Sequence, residues 1–270
     1  MTEAIGSLAR AGSSDSNWTA FVDRWIYVGM AAFLVVLTLV GFVPDSLKQI
    51  ANIEAGKRPD FMPIVHIHAV LMGSWLMLLL AQTSLMATGN ARHHKSLGIV
   101  SFVLAPMIVV AGLILAPASY TQFAEAAATA PPEIAAELQK SLTRKLDILL
   151  LQLRGGLIFA ALVFLGIRAR RADSEFHKRM MVLATLVPIP ASFNRISWLP
   201  TTMPETTLST DIYTLVCISP MFLWDWFRLG RVHRAYWVFV SLWVPVVAVT
   251  WVLRGTAGWH SFAAGVLDFS

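Results

Sequence analysis

Cysteine is nearly missing from this chain: Cys217 stands alone in an apolar run, which excludes an intrachain disulfide framework and a CxxC metal or redox motif. Charge is scarce as well. Asp, Glu, Lys and Arg make up 14% of the 270 residues, where a soluble domain carries roughly 25%, so water is not the main solvent of the chain. There is no Gly-rich phosphate loop and no Ser/His/Asp set that falls on one face, and soluble-style nucleotide or hydrolase chemistry finds no support. The histidines are scattered, with one HxH and one HH pair, instead of the repeated HxxxH and HxxHH clusters of membrane di-iron hydroxylases. The last apolar run, 235–253, contains no lysine, which argues against a retinal Schiff base.

Apolar sequence fills the space that charge leaves. Hydrophobic residues reach 56%, with ten tryptophans and thirteen prolines, a mixture that suits a bilayer, where Trp gathers at interfaces and Pro is tolerated in helices. A spanning helix needs about 20 apolar residues. Runs of that kind cover 25–43, 63–88, 97–118, 148–167, 180–199, 212–227 and 235–253. The expected fold is therefore all-α, a polytopic membrane bundle of about seven transmembrane helices. Residues 1–22 form a polar N-terminal segment, 23–254 the helical domain and 255–270 a C-terminal tail. The run after the first segment is too long for a secretory signal and reads as a retained helix.

Basic residues set the expected orientation. The N-terminus through Arg24 and the turns near 92–95, 168–179 and 228–234 hold 12 Lys and Arg, against 7 in the opposite loops, which places the N-terminus in the cytoplasm and the C-terminus outside. Most of the net charge of +5 is thus topological and argues little for nucleic acid. In the second outer loop, Pro131-Pro132 precede Ile134, Leu138, Leu142 and Leu146 at four-residue spacing, the pattern of an amphipathic helix near 132–146 lying on the outer surface. A weak repeat also appears: His94-Lys95, His177-Lys178 and His233-Arg234 each open the second helix of a hairpin.

Charge inside a bilayer costs about 2.5–3.5 kcal/mol per residue on insertion scales and needs a partner or a task. Arg154 and Arg195 fall in the outer half of the fourth and fifth runs, with Asp147, Asn194 and Asp211 nearby in sequence. Internal pairing of these groups would merely lock the bundle. Alternatively, the arginines hold an anion, with Pro188 and Pro190 bending the fifth helix beside them. In the HxH of the second run, residues two apart point about 200° apart, so His66 and His68 cannot share a metal from a regular helix. His68 aligns with Trp75 and Gln82 at heptad spacing and is the preferred inward residue. A haem b with its propionates on Arg154 and Arg195, or the polar head of a quinone or lipid, would fit such an outer group. A second set, His93, His94, His177 and His233, would give a bis-imidazole haem or metal site if three helix starts adjoin.

The segments His66-Ile-His68 with Gly73, Trp75 and Gln82, then Thr88-Gly89 through Arg92-His93-His94-Lys95-Ser96-Leu97-Gly98, resemble an uncharacterised bacterial multi-pass membrane protein family whose hairpins end in an HRxxG-like turn. Phe176-His177-Lys178-Arg179-Met180-Met181 with Asn194-Arg195, and Asp225 through Gly230-Arg231-Val232-His233, are similar to later parts of the same group. The resemblance covers most of the chain after Met62 and implies a helical bundle in a bacterial inner (cytoplasmic) membrane. A more distant similarity to b-type cytochrome membrane domains and oxidase-assembly membrane proteins rests on histidines at helix ends. It departs from the b-type pattern, since an outer pair would have to enlist His260.

Three functional expectations follow. The first is a haem- or metal-associated redox component, with His68 as ligand or with the His94, His177 and His233 set. The second is a non-catalytic protein that binds a lipid, a quinone or another small molecule, or helps assemble a respiratory-chain complex. The third, transport through Gln82, Asp225 and the bent fifth helix, lacks a continuous line of buried acids and ranks last.

Overall fold

A computed structural model describes residues 2–268 in their backbone and 17–267 in their side chains. Every regular element among them is helical: α1 Thr2–Glu54, α2 Pro63–Ala87, α3 Ala91–Leu97, α4 Ser101–Thr129, α5 Pro132–Ala169, α6 Ser174–Leu186, α7 Pro190–Phe193, α8 Leu208–Leu229, α9 Arg234–Leu253 and α10 Ala257–Asp268. A single 3-10 turn, Gly98–Val100, joins α3 to α4. The polar N-terminal segment continues α1, although side chains before Asn17 lie outside the described residues, as do the last two residues of the tail.

Five helices are long and apolar enough to cross a membrane: Asn17–Glu54, Pro63–Ala87, Ala91–Thr129, Pro132–Ala169 and Arg234–Leu253. Their outward faces are apolar, with Leu157 and Phe164 each 63% exposed on α5 and Val252 72% exposed on α9. A soluble protein seldom leaves so much apolar surface to water. Local signals start and stop these elements as the sequence dictates. Proline opens α2 and α5, where a missing N–H costs nothing. The Asp173 side chain caps α6 by accepting from Phe176 N at 2.8 Å, and Gly230, at φ 64°, closes α8 in the left-handed conformation.

The fifth and sixth expected runs depart from the simple pattern. A continuous, bent helix over 180–199 does not form. α6 stops at Leu186, and the chain tightens into i to i−3 bonds, with Val187 N donating to Ala184 O and Ile189 N to Leu186 O, both at 3.2 Å. Pro188 and Pro190 withhold two donors, so α-helical winding cannot continue. The following short α7 lies hard against α1: a Cβ on Gly41 would come within 2.5 Å of the Ser192 carbonyl oxygen. α8 has 22 residues, enough for about 33 Å, but Asp211, Asp225 and Arg228 keep it out of the apolar set.

The amphipathic stretch near 132–146 is not a separate surface helix. It is the first part of the 38-residue α5, and α4 runs on to Thr129 beside it. Phe123, Leu138 and Leu142 form a small buried cluster between the two, so the stripe of leucines faces a helix and not a headgroup layer. The tail is helical too. Trp259, Ala263 and Leu267 of α10 pack on Ala116, Leu146, Leu149 and Leu150, and Trp259 Nε1 donates to Leu146 O at 2.9 Å.

The main core joins α1, α2, α5, α6, α8 and α9 through Leu34, Trp75, Leu162, Leu183, Met221 and Phe239. At its centre Trp75 meets Phe159 edge-on, ring centroids 5.1 Å apart, and its Nε1 donates to Thr185 Oγ1 at 3.0 Å. A buried indole needs such a partner. The bundle has two polar ends. We call lower the end that gathers Asp23, His94, His177, Asp225 and His233, and upper the end that gathers Asp45, Arg58, Asp147, Arg154, Arg195 and Asp211.

Candidate functional site

At the upper end both arginines already hold carboxylates of the chain. Arg154, on α5, donates from Nη2 to Asp211 Oδ1 at the start of α8, and both side chains are buried. Asp211 Oδ2 also accepts from Thr207 Oγ1 at 2.7 Å and from Trp251 Nε1, on α9, at 3.0 Å. Arg195 pairs with Asp45 of α1 at 3.2 Å and stacks over Phe42, 4.3 Å from the ring centroid. Asn194 is exposed. Asp147 lies on the same helix face as Arg154 yet turns to the tail, 3.1 Å from His260 Nε2, and it accepts from Gly255 N at 3.0 Å. These pairings give each arginine a carboxylate of the chain itself, the internal pairing that was one of the two expectations for them.

A second buried network occupies the lower end. Arg179 of α6 forks onto Asp225 of α8, Nε to Oδ2 at 2.8 Å and Nη2 to Oδ1 at 2.5 Å. Its Nη1 reaches Glu175 Oε2 at 2.7 Å, and Tyr236 of α9 donates to Asp225. The two networks share one design: each α8 carboxylate takes one arginine from α5 or α6 and one aromatic donor from α9. That is the physical reason α8 carries acids at all. Beside the lower network lies a cavity of about 300 Å³ lined by Asp23, Tyr27, Glu175, Lys178, Arg179 and Arg228 among others. Its charges balance, since Asp23 pairs with Arg228 at 2.8 Å and Glu175 with Lys178 at 2.7 Å.

The histidines divide by environment. His66 is exposed and meets Phe61 edge-on at 5.9 Å. His68 faces inward, its Cε1 3.7 Å from where a Cβ on Gly112 would stand, and its buried Nδ1 has no hydrogen-bond partner. Gln82 lies fourteen residues further along α2, roughly 21 Å away, so the two cannot serve one site. His233 caps α9, accepting from Ala235 N at 3.1 Å, and His93 is exposed.

His94 and His177 come together. Their rings are 6.5 Å apart between centroids and 79° apart in plane. His94 Nδ1 donates to the Gln82 carbonyl at 3.3 Å, and His177 Nδ1 to the Gly166 carbonyl at 2.8 Å. Each histidine thus reaches back across its own hairpin to the end of the preceding helix, twelve residues earlier for His94 and eleven for His177, while the third member of the repeat, His233, does not. A carbonyl on Nδ1 fixes the tautomer and leaves Nε2 as the free base, the arrangement found behind metal-bound imidazoles. Burial holds the His177 imidazolium below its ordinary pKa of 6.5, with the Gly166 carbonyl opposing and His94 adding to the depression. Nearby, both side-chain polar atoms of Gln82 are buried without a partner, and Gly98 leaves them room, since a Cβ there would stand 3.3 Å from Gln82 Nε2.

Among the described residues no three His, Cys, Asp or Glu side chains gather as a complete metal cage, and the expected set of His68, His94, His177 and His233 reduces to one adjacent pair. Sequence reasoning missed the Arg179, Asp225 and Tyr236 network and the Arg195 to Asp45 pair. Asp225 and Arg179 stand 46 residues apart, with no shared periodicity to link them. No family model matches the chain, and no curated protein and no solved structure matches it.

Proposed function

We propose that this chain is a bacterial cytoplasmic-membrane protein that carries a haem iron or transition-metal ion between His94 and His177, as a redox-associated component. The single observation behind the reading is the pair itself: two imidazoles from different hairpins, each with Nδ1 committed to a backbone carbonyl and Nε2 free. The ring centroids stand 6.5 Å apart, so the two imidazoles would be the residues that hold the ion, and bound there it would supply redox or Lewis-acid chemistry. Gln82, whose backbone carbonyl holds His94, has a side-chain amide buried without a partner. In the same reading the five apolar helices, α8 and the α6–α7 run make seven crossings, with the lower, basic end in the cytoplasm.

Absorption spectra of detergent-purified protein, oxidised and dithionite-reduced and prepared with haem and metals supplied, test the proposal together with metal analysis. Signal that disappears in His177→Asn supports it, because asparagine keeps a donor for Gly166 but offers no Nε2 base. A colourless, metal-free wild type sinks it.

A further inference from the structure

We propose a second site, at the opposite end of the bundle, that binds a phosphate-type anion between Arg58 and Lys145. Both side chains are half-buried, and both sit on the ring of Phe123, Lys145 Nζ 3.8 Å and Arg58 Cζ 5.7 Å from its centroid. Arg58 also stacks on Phe61 at 4.7 Å. The α1–α2 loop supplies Arg58, α4 supplies Phe123 and α5 supplies Lys145, so three elements converge there.

Charge at this place does not balance. Neither cation has a carboxylate within 4.0 Å among the described residues. Arg58 instead reaches Gln49 Oε1 at 2.5 Å and the Pro59 carbonyl at 3.2 Å. Gln49 passes on to Asp45 at 3.4 Å, but Asp45 is the partner of Arg195. Arg195 therefore takes the carboxylate, Arg58 reaches it only through Gln49, and Lys145 has none within 4.0 Å among the described residues. Elsewhere in the molecule the partly buried charges are matched, as in the two α8 networks and the lower cavity, which makes this surplus distinctive.

Hydrogen-bonding capacity is left over as well. The five N–H donors of Arg58 lose two to Gln49 and Pro59, leaving Nη2 unclaimed. Lys145 gives one of its three hydrogens to Ser119 Oγ at 2.5 Å, so two remain, and the Ser119 hydroxyl can donate in turn. Unclaimed guanidinium and ammonium donors held against an aromatic ring are a receptor for a tetrahedral oxyanion. The partly exposed ring of Phe61 adds apolar contact of the kind a lipid glycerol or acyl root would use. The phosphate of an anionic lipid headgroup and a free phosphate share this chemistry.

Two arms separate those sources. Native mass spectrometry counts phosphatidylglycerol and phosphatidylcholine retained by the detergent-solubilised full chain, and thermal shift in lipid-free detergent follows inorganic phosphate against chloride at constant ionic strength. The proposal expects wild type to bind phosphatidylglycerol, or inorganic phosphate, at least tenfold more tightly than Arg58→Gln/Lys145→Gln. Retention of phosphatidylglycerol alone assigns a headgroup, and a response to inorganic phosphate assigns a soluble anion. Lys145→Arg, which keeps the charge, should hold most of the binding and controls for folding. Equal binding by wild type and the double variant in both arms overturns the proposal. The metal content of the same samples reports on the His94 and His177 reading separately.

Discussion

Removing one partner of the Arg154 and Asp211 pair should damage the protein far more than removing both. Arg154 is 8% exposed and Asp211 3%, so each single replacement strands a charge that water cannot reach. Breaking such a pair costs about 3–5 kcal/mol. Asp211→Leu also leaves the Thr207 hydroxyl without its acceptor, while the Trp251 indole keeps Thr207 Oγ1 at 2.8 Å. If the residues acted independently, the two losses would add to roughly 6–10 kcal/mol. An apolar pair of similar volume lifts the desolvation penalty along with the attraction and is often close to neutral, so Arg154→Leu/Asp211→Leu should be milder than either single variant. One kcal/mol moves the melting temperature of a chain somewhat smaller than this by about 2–4 °C, which puts each single variant on the order of 10 °C below wild type. Tryptophan fluorescence during thermal unfolding in one detergent measures all four proteins. Near-wild-type behaviour of Asp211→Leu would refute the reasoning, because Arg154 would then be free to serve an external anion.

Three other outcomes follow from the same geometry. Gly41→Ala should lower stability markedly, since its Cβ would meet the Ser192 backbone at 2.5 Å, whereas Gly29→Ala, with nothing within 4 Å, should be harmless in the same melt. The folded pKa of His177 lies below its unfolded value of 6.5, so the unfolded chain binds more protons in the window just below pH 6.5, and stability should fall as the pH drops through that window. His177→Asn should flatten that acid slope in denaturation measured from pH 7 to 5. Asp147→Asn should loosen α10, because Asp147 holds both Gly255 N and His260, and limited proteolysis should then cut near residue 255 first.

Much of the architecture was legible because bilayer physics writes it in long apolar runs. The runs 25–43, 148–167, 212–227 and 235–253 fall inside α1, α5, α8 and α9, 63–88 matches α2 to within one residue, and 97–118 passes through the 3-10 turn into α4. The extensions were not legible: α4 and α5 continue as a helical pair because Phe123, Leu138 and Leu142 bury one another, a contact between segments that a stripe of leucines alone cannot reveal. The fifth run failed as a single helix at Pro188 and Pro190, whose effect was read as a bend and is a stop. Internal pairing of Arg154 was one of the alternatives on sequence grounds, and Asp211 was among its named acids. The partner of Arg195 was not, since Asp45 belongs to a helix whose rotation no spacing fixes. The repeat of histidines at hairpin starts pointed to His94 and His177, yet only packing shows that His233 stands apart as a cap.

The most direct test is the ratio of haem or metal to protein in wild type, His94→Asn, His177→Asn and His68→Ala, each purified under identical conditions. A ratio that collapses in the first two variants and survives in His68→Ala is the predicted result, because the two imidazoles that stand 6.5 Å apart, each with Nδ1 on a backbone carbonyl, belong to His94 and His177. Full occupancy in His94→Asn and His177→Asn, or loss in His68→Ala alone, would contradict the account and move the site to the upper half of α2.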